Sequence, residues 1–465
     1  MYRSFSTFMA LSIVVAGSCG GLAFASGWSD EVPVTQDPQY QYLHFVAATP
    51  DDTLYLVWPD LTDPEDVQVL LTNSVDRGHT WSTPAVILSG GAFEYFALAA
   101  DLAGLHLLYT EYTEDDENEY KMLYHMFSDD GGATFSEPVQ VGERASVEDF
   151  RLIVADDALY AYAQDYDFET DTPYHYVYRS IDGGENWTEN EIEIDTFIRN
   201  PAFTVDGDGV HMVFATMPDE PSVEIHYARS ADYGRNWTTP VPVSQGAGAY
   251  SQSPAIAIDD QAMHVVWEDN READYNIMYS RSTDGGQTWS SDVRLNDTFY
   301  GARAQLLDDE EGLHVLWCQY HGDDGWPATW FSGDYGIVWY KSSLDGGLTW
   351  SDEFRVTQNE NIPPIDLPSQ GANYVRIAEL STGFCAVWQD KRDGNIDLYA
   401  RDYAGSGCAG DVDGDGDTDL SDLATLLAVY GTTTGDPTYI PEADFNGDGV
   451  VDLNDLAYLL SGYGC

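Results

Sequence analysis

One eight-residue pattern recurs six times along the chain and limits the folds open to it. The copies are SVDRGHTW (Ser74–Trp81), SDDGGATF (Ser128–Phe135), SIDGGENW (Ser180–Trp187), SADYGRNW (Ser230–Trp237), STDGGQTW (Ser282–Trp289) and SLDGGLTW (Ser343–Trp350). Their serines are 54, 52, 50, 52 and 61 residues apart. A period of this size is typical of stacked supersecondary units, each of which buries its apolar surface against its neighbours.

The residue types of the octapeptide predict a tight hairpin turn. An Asp carboxylate accepts hydrogen bonds from backbone N–H groups, glycine adopts the positive φ that such a turn needs, and the final aromatic ring packs beneath the turn. The pattern resembles the Asp-box of the bacterial-neuraminidase repeat, which occurs in sialidases and in many other propellers. The resemblance implies a β-propeller with its boxes at the rim, away from the central site.

Each repeat also contains three other segments in which apolar and polar residues alternate, which predicts blades of four antiparallel strands. In the fifth repeat the strands are Pro254–Ile258, Met263–Trp267, Ile277–Arg281 and, after the box, Val293–Leu295. Six repeats show the full pattern. A seventh has three strands and no box, namely Tyr374–Ala378, Phe384–Trp388 and Ile396–Arg401.

The fourth strand of the seventh repeat is found near the other end of the chain. Trp28–Gln36 (WSDEVPVTQ) closely matches Trp350–Gln358 (WSDEFRVTQ), which follows the sixth box. A strand from the N-terminal side that completes the last blade closes the ring and removes exposed sheet edges. The predicted fold is therefore an all-β, seven-bladed propeller over residues 26–404.

Residues 405–465 differ in composition and predict a small α-helical, EF-hand-like domain. Two twelve-residue loops, 411–422 and 444–455, begin 33 residues apart and precede the predicted helices Leu423–Tyr430 and Leu456–Tyr463. Calcium takes oxygen ligands from positions 1, 3, 5, 7, 9 and 12 of such a loop, with glycine at position 6. The predicted ligands are Asp411, Asp413, Asp415, Asp417, Asp419 and Asp422 in the first loop, and Asp444, Asn446, Asp448, Val450, Asp452 and Asp455 in the second.

Aspartate at position 12, the loop–helix duplication and the lack of a helix before the first loop resemble a type I dockerin. The resemblance implies a calcium cofactor, folding that depends on it, and a cohesin-like or other surface protein as partner. The family's contact positions correspond to Leu420-Ser421 and Leu453-Asn454, where many cellulosomal dockerins have Ser-Thr. A pseudo-twofold relation between the halves would also bring the module's ends together.

The cysteines lead to two predictions. Cys408 and Cys465 flank the dockerin-like module, and we expect them to form a disulfide, which needs Cα atoms within about 7 Å. Cys318 and Cys385 lie in second strands of different blades and are expected to stay reduced and buried.

The beginning of the sequence is typical of an export signal over residues 1–25. Arg3 precedes the short apolar run Phe8–Ala16, and Ala23–Ala25 forms a small-x-small cleavage site. An alternative is a lipoprotein site at Cys19. Both interpretations predict a protein that is secreted or attached to the cell surface, without a membrane span.

The charge of the chain excludes some partners. It has 80 Asp and Glu against 19 Lys and Arg, a net charge of −61. Such a field repels phosphate backbones and anionic lipids, so nucleic acid is not an expected partner. Solubility in salty water, where counterions screen the repulsion, explains most of this charge, and calcium ligands explain a minority.

Candidate site residues lie on one face of the predicted ring, where loops converge on the channel. They are Arg151, Arg199, Arg303 and Arg376 near the first strands, and Asp60, Glu111, Asp165, Asp269 with Arg271, and Asp390 with Arg392 after the second strands. Such a set could bind an acidic sugar or perform acid–base chemistry. Alternatively, the Trp-x-Asp-x-Arg segments brace neighbouring blades. The Arg-x-Pro element of sialidases is absent, since Trp28–Asn73 contains no Arg or Lys.

An insertion in the sixth blade, His321–Gly336, supplies aromatic side chains that could stack on sugar rings or merely bury one another. The candidate glycan-binding residues are Trp326, Trp330, Tyr335, Arg199 and Arg303. Two functions follow. One is a carbohydrate-associated binding or scaffolding propeller tethered by its dockerin-like module. The other is a glycoside hydrolase of the sialidase-like superfamily, or a polysaccharide lyase, acting on extracellular glycans. The sequence leaves open whether the protein is an enzyme.

Overall fold

The structure of the protein is a computed structural model. It describes residues 27–35, 44–60, 67–91, 93–114, 119–142, 147–155, 158–167, 172–194, 196, 198–216, 222–246, 249–272, 275–297, 301–309, 311–321, 334–358, 375–390, 397–404, 412, 418, 420–445 and 449–461.

The strands within these ranges form seven four-stranded antiparallel sheets. Blades 1 to 4 consist of β2 (Phe45–Ala48), β3 (Leu54–Asp60), β4 (Val67–Ser74) and β5 (Ala85–Gly91); β6 (Phe93–Ala100), β7 (Leu105–Glu114), β8 (Glu119–Ser128) and β9 (Val139–Gln140); β10 (Val147–Ala155), β11 (Ala158–Asp167), β12 (Thr172–Ser180) and β13 (Thr188–Glu191); and β14 (Arg199–Asp206), β15 (Gly209–Thr216), β16 (Glu224–Ser230) and β17 (Val241–Pro242).

Blades 5 to 7 consist of β18 (Ser251–Ile258), β19 (Met263–Asp269), β20 (Asn276–Ser282) and β21 (Val293–Arg294); β22 (Gly301–Asp309), β23 (Gly312–His321), β24 (Asp334–Ser343) and β25 (Phe354–Arg355); and β26 (Val375–Glu379), β27 (Phe384–Asp390), β28 (Asp397–Tyr403) and β1 (Val32–Pro33). The first strands of consecutive blades contact one another around the ring, and β26 meets β2. The seven-bladed propeller is therefore confirmed.

The seventh blade is completed by the strand from the N-terminal side, as predicted. Val32 pairs with Ala400 and Pro33 with Tyr399. The Val34 amide donates to the carbonyl of Leu398 at 2.8 Å. Because β1 supplies the outermost strand of this sheet, the two ends of the propeller chain are held together by a strand pairing.

The strand register gives each blade two distinct ends. In blade 5, Ile258 pairs with Met263 and Met263 with Ser282, so the turn between the first two strands lies at the same end as the Asp-box. We call this end of the ring the box face. The connections between second and third strands, and between blades, lie at the other end, which we call the far face.

Buried Asp–His–Tyr triads recur at the box ends of three blades. In blade 5, His264 is fully buried and contacts Asp259 at 3.0 Å through Nε2 and the hydroxyl of Tyr279 at 2.7 Å through Nδ1. Burial lowers the pKa of His264, which favours a neutral ring that donates to the carboxylate and accepts from the phenol. His211 and His314 make the same contacts in blades 4 and 6.

The tyrosines of these triads also join neighbouring blades. The Tyr279 ring lies edge-on to Trp350 of the next blade's box, with ring centroids 5.0 Å apart. Tyr227 meets Trp289 in the same way at 5.7 Å. The triads of blades 4 and 5 therefore link the sheets that carry them to the Asp-boxes that follow.

The C-terminal region is a helix pair packed on its own small core. The helices are α1 (Leu420–Val429) and α2 (Leu453–Ser461), with a 3-10 turn over Pro441–Ala443. Leu426 and Leu459 are fully buried in this core. Both helices begin three residues earlier than predicted, because the aspartate at loop position 12 lies inside the first helical turn. None of the described helices is long and apolar enough to cross a membrane.

The cysteine and boundary predictions have different outcomes. Cys318 and Cys385 are free and buried, as expected, and burial raises the pKa of the Cys318 thiol to about 11. Cys408, Cys465 and the signal residues 1–25 lie outside the described residues. The disulfide and the domain limits at residues 25 and 404 stay predictions.

Candidate functional site

Three non-glycine residues adopt left-handed backbone conformations at equivalent positions on the far face. Asn200, Ser253 and Arg303 have φ values of 46°, 50° and 56°. Each lies at a bulge near the start of its blade's first strand, in blades 4, 5 and 6. This conformation is costly for residues with a side chain and is concentrated at functional sites in proteins. The far face of these blades is therefore a candidate for the functional site.

A buried glutamate lies beside these bulges. The Glu268 side chain is at the end of β19, and the residue is 4% exposed. Its Oε1 accepts a hydrogen bond from the Arg303 backbone N–H at 2.7 Å, and its Oε2 accepts one from Gln252 Nε2 at 2.9 Å. Burial raises the pKa of Glu268, although the charge of Arg303 opposes this shift. The carboxyl group can therefore hold a proton at a higher pH than an exposed glutamate.

Tyr275 lies near Glu268, and the hydrogen-bonded pair of Arg199 and Tyr250 lies near Tyr275. Arg199 Nη1 donates to the hydroxyl of Tyr250 at 2.7 Å, which connects blades 4 and 5. Burial raises the pKa of Tyr275, and the negative charge of Glu268 raises it further. Phenol, guanidinium and carboxyl groups thus act on one another here. Glu268 is buried, whereas Arg199, Tyr250 and Tyr275 are partly exposed. We call Arg199, Tyr250, Glu268, Tyr275 and Arg303 the far-face cluster.

The Asp269–Arg271 pair is engaged as a structural bracket. Buried Asp269 accepts from Arg271 Nε and Nη2 at 2.7 Å each, and from Ser251 Oγ at 2.8 Å. Arg271 Nη1 donates to Asp292 at 2.6 Å. These groups hold the second and fourth strands of blade 5 together, so this Trp-x-Asp-x-Arg segment is a bracket within one blade. The bracing of neighbouring blades expected from the sequence stays a prediction.

The other predicted face residues are spread around the ring. Arg376 lies over the Phe45 ring at 4.9 Å, and the exposed Arg151 donates to the Phe150 carbonyl at 2.8 Å. Asp60 and Asp390 are the last residues of their second strands, whereas the sequence pattern predicts a position just after these strands. Trp326, Trp330 and Arg392 lie outside the described residues, as does the Tyr335 side chain, although the backbone of Tyr335 pairs with Tyr320.

Sequence reasoning missed Tyr250, Tyr275 and Glu268. A signal for Glu268 was present, because four blades have a buried tryptophan near the end of the second strand. The residue after it is Pro59, Cys318 or Gln389 in three of these blades and Glu268 in the fourth. For the tyrosines no comparable signal exists, since they lie in connections of different lengths.

The second C-terminal loop carries a carboxylate suited to a cation. Asp444 Oδ2 accepts from the Gly449 N–H at 2.8 Å and from the Tyr439 hydroxyl at 2.7 Å. Its Oδ1 is buried and has no hydrogen-bond partner among the described residues. A buried, unmatched carboxylate oxygen is unfavourable unless a cation compensates it, so position 1 of this loop fits calcium. Gly449, at position 6, has the positive φ of 86° that the loop turn requires.

The position-12 aspartates occupy equivalent places in the two halves. Asp422 and Asp455 are fully buried. Asp422 accepts from the Val412 N–H at 2.6 Å, and Asp455 from the Asp452 N–H at 2.8 Å. Val450 forms an isolated bridge with Thr433. The remaining predicted ligands, Asp411, Asp413, Asp415, Asp417, Asp419, Asn446 and Asp448, lie outside the described residues.

Comparison with known proteins identifies the C-terminal module. Residues 409–461 match the type I dockerin domain family, so the chain carries a dockerin type I domain at this end. In sequence the chain is similar to the anhydrosialidase of Macrobdella decora, at 24% identity over 234 residues. The aligned region covers 46% of this chain and 29% of that relative, so the chain spans less than a third of its length.

Several solved structures are similar to this chain. A protein of unknown function from Dyadobacter fermentans has 11% identity and a TM-score of 0.46, covering 80% of this chain and 97% of that one. An α-L-arabinanase from Penicillium chrysogenum complexed with arabinobiose has 12% identity and a TM-score of 0.45, covering 81% and 98%. A Hadza microbial sialidase has 18% identity and a TM-score of 0.42, covering 60% and 63%.

Proposed function

We propose that this protein is an exported, glycan-binding propeller that its calcium-dependent dockerin domain attaches to a cohesin-like protein. The far-face cluster is the observation that carries the glycan-binding role. The dockerin match supports the attachment and an extracellular location, and the similarity to an anhydrosialidase supports a glycan as the ligand.

The chemistry of the far-face cluster suits a polar, ring-shaped ligand. Arg199 presents a guanidinium group, the best side chain for a carboxylate, beside the hydroxyl of Tyr250. The strained bulges hold Arg303 and Ser253 in place around buried Glu268. A sugar that carries an acidic group, or several hydroxyls, would match these donors and acceptors. Trp326, Trp330 and Tyr335 remain the proposed stacking residues.

The dockerin helices present a surface suited to attachment. Leu420 and Leu453, which begin the two helices, are 69% and 66% exposed. Leu427 and Leu460, seven residues later in each helix, are both 53% exposed. Exposed leucines at equivalent positions of the duplicated halves favour a protein partner with an apolar surface. We propose a cohesin-like protein as this partner. It would contact the first residues of the two helices, Leu420-Ser421 and Leu453-Asn454, which are the contact positions predicted from the sequence.

A glycan array followed by titration calorimetry tests the binding role. Loss of a hydrogen bond from a charged group costs about 1.5–3 kcal/mol, so Arg199→Ala should weaken binding of an array hit by roughly tenfold or more. Trp330→Ala should weaken it several-fold through lost stacking. Arg229→Ala, on the third strand near the box end of blade 4, is the matched control and should leave binding unchanged. Equal affinities for all four proteins would place the ligand elsewhere.

A glycoside hydrolase is the second candidate, and Glu268 favours it. A buried carboxyl with a raised pKa keeps its proton to a higher pH than an exposed one, which suits a general acid. In that case Glu268→Gln should abolish release of reducing sugar from the array hits and retain their binding. If the unaltered protein cleaves none of the glycans that it binds, the propeller is a binding module.

A further inference from the structure

A large acidic cavity lies on the box face, between blades 5 and 6. Its volume is about 1080 Å³, and it is bounded by the first turns of both blades and by the sixth box. Seven carboxylates line it, against one basic residue, Arg281. The register places it at the opposite end of the blades from the far-face cluster, so it is a separate feature of the molecule.

The positive charge of Arg281 does not pair with these carboxylates in the hydrogen bonds that the structure describes. Arg281 Nη1 donates to the carbonyl of Gly346 at 2.7 Å. With seven carboxylates against this one guanidinium group, the potential in the cavity is negative. The cavity is therefore suited to a cationic ligand.

One carboxylate of the cavity is buried and incompletely matched. The Asp309 side chain is 9% exposed, and its Oδ1 accepts from His314 Nε2 at 2.9 Å and from the Glu311 N–H at 2.8 Å. Its Oδ2 is buried without a hydrogen-bond partner in the described part of the chain. Leaving a charged acceptor unmatched is unfavourable, so the electrostatic field of a cation in the adjoining cavity would stabilise this residue.

The neighbouring Asp308 is also affected by the excess of negative charge in the cavity. Burial, together with the charges of Asp259, Asp309 and Glu379, raises its pKa to about 6, and His314 opposes the shift. The group is costly to ionise where it lies. A bound cation would lower that cost.

The rim of the cavity is apolar. Leu344 and Leu348, both in the sixth box, line the cavity and are 74% and 65% exposed. A lysine side chain combines an ammonium head with an apolar stem, and such side chains cover apolar surface while their heads reach a polar group. A second copy of this chain is a poor occupant, because it carries the same net charge of −61.

We propose that this cavity binds a lysine-containing segment of a protein partner. An ammonium group occupies the space beside Asp308 and Asp309, and the adjoining apolar atoms contact Leu344 and Leu348. The site is independent of the glycan-binding role, since it uses the other face of the ring.

Fluorescence anisotropy of the full chain with a labelled peptide of alternating lysine and leucine tests the proposal, in buffer with excess calcium so that the dockerin loops are loaded. We expect saturable binding that Asp308→Asn weakens by roughly tenfold, as removal of a charged partner does. Leu344→Ser should weaken it several-fold. The same peptide with glutamate in place of lysine should not bind.

Matched controls come from the third box, which lies on the same face. Glu185→Gln removes an equally negative, exposed charge, and Ile181→Ser changes an apolar residue at the box position of Leu344, 70% exposed. Both should leave peptide affinity unchanged. No binding, or equal weakening by Asp308→Asn and Glu185→Gln, would overturn the proposal, the latter because it indicates attraction by overall charge. Displacement of the peptide by further calcium would also overturn it, because the cavity would then be a metal site.

Discussion

The Asp-boxes and the dockerin loops use the same residue types in opposite ways. In the fifth box, both oxygens of Asp284 accept hydrogen bonds from within the turn: Oδ1 from the Thr288 N–H at 2.9 Å and Oδ2 from Thr288 Oγ1 at 2.6 Å. In the second dockerin loop, Asp444 has a buried oxygen for which the described residues supply no donor. Both segments are short, acidic and rich in glycine, yet of these two carboxylates only Asp444 keeps a buried oxygen that lacks a donor among the described residues.

The difference shows that the donors around a carboxylate, and not the acidity of a segment, decide whether a cation is needed. Hydrogen bonds from Thr288 lower the pKa of Asp284 to about 2, so its turn stabilises the charge by itself. Asp402 is an intermediate case, because its charge is compensated by the guanidinium group of Arg77 at 2.9 Å. Asp308 is the opposite extreme, with carboxylates as neighbours.

The largest expected effect is the removal of calcium. A chelator should unfold the dockerin domain and leave the propeller folded, since the loop carboxylates need a cation and the box carboxylates do not. Asp444→Ala should lower calcium affinity by more than the ~10–100-fold cost of losing an outer-shell partner. Far-UV circular dichroism and calorimetry of the full chain measure both effects.

Asp436→Ala is the control for this prediction. Asp436 is exposed and accepts from the Thr433 N–H at 2.8 Å within the same module, outside the two loops. It should leave calcium affinity unchanged. Helical signal that persists in excess chelator would show that the loop carboxylates tolerate one another without metal.

The next effect concerns the intermediate case, the ion pair of Asp402 with Arg77. Removing a partner from a buried ion pair costs about 3 kcal/mol or more, and the Asp402 side chain is only 6% exposed. Arg77→Ala should therefore lower the free energy of unfolding of the propeller by about that amount in urea titrations. Glu272→Gln, which removes the more exposed partner of Arg294, should change it by less than about 1 kcal/mol. Equal effects would mean that Asp402 is compensated in another way.

A smaller effect is expected inside a box. Ser282 Oγ donates to Asp284 at 2.8 Å and accepts from the buried Gly286 N–H at 2.9 Å. Ser282→Ala leaves that N–H unmatched, which costs about 1–3 kcal/mol. The loss should be the same with and without calcium, whereas Thr283→Ala, at the exposed next position, should cost little. If the stability lost in Ser282→Ala depended on calcium, the box turn would need a cation, contrary to this comparison.

The smallest effect is a gain in stability from Asp308→Asn. The folded-state pKa of Asp308, about 6, is above its ordinary value, so the folded protein binds more protons and loses stability as pH rises from about 4 to 6. The substitution removes this loss and should raise Tm by about 1–3 °C at pH 7, with little change at pH 4. Scanning calorimetry at both pH values checks it, and a lower Tm at pH 7 would contradict it. The box carboxylates give stability the opposite pH dependence: their stabilisation is present above pH 4 and is lost as pH falls towards 2.

The propeller could be predicted from the sequence because its information is local and repeated. The six boxes give the period, and the match of Trp28–Gln36 to Trp350–Gln358 gives the shared blade. The strand ends were predicted to within about three residues. The Asp–His–Tyr triads were missed, although aspartate precedes histidine by five residues in each, because the tyrosine lies on the next strand and only its register reveals it.

The far-face cluster could be predicted only in part. Arg199 and Arg303 were found from their position near the first strands. Tyr250 and Tyr275 come from different connections, and their approach to Glu268 depends on bulges that shift the register by a residue. The left-handed conformation of Arg303 has no sequence signal, because arginine is not a residue that usually adopts it.

The closure of the seventh blade has a consequence for the architecture as a whole. Trp28 forms a bridge with Tyr403, and the Ala404 N–H donates to the Gly27 carbonyl at 2.9 Å, so the seam of the ring lies where a seventh box would be. An octapeptide joining Ala404 to Gly27 would make this blade like the other six, and a cut at any other box would produce a circular permutant with the same strand pairings. The blade at which the chain leaves the ring is thus a property of chain connectivity and not of that blade's own sheet. Moving the cut to another box would move this exit point to another blade at the same end of the ring.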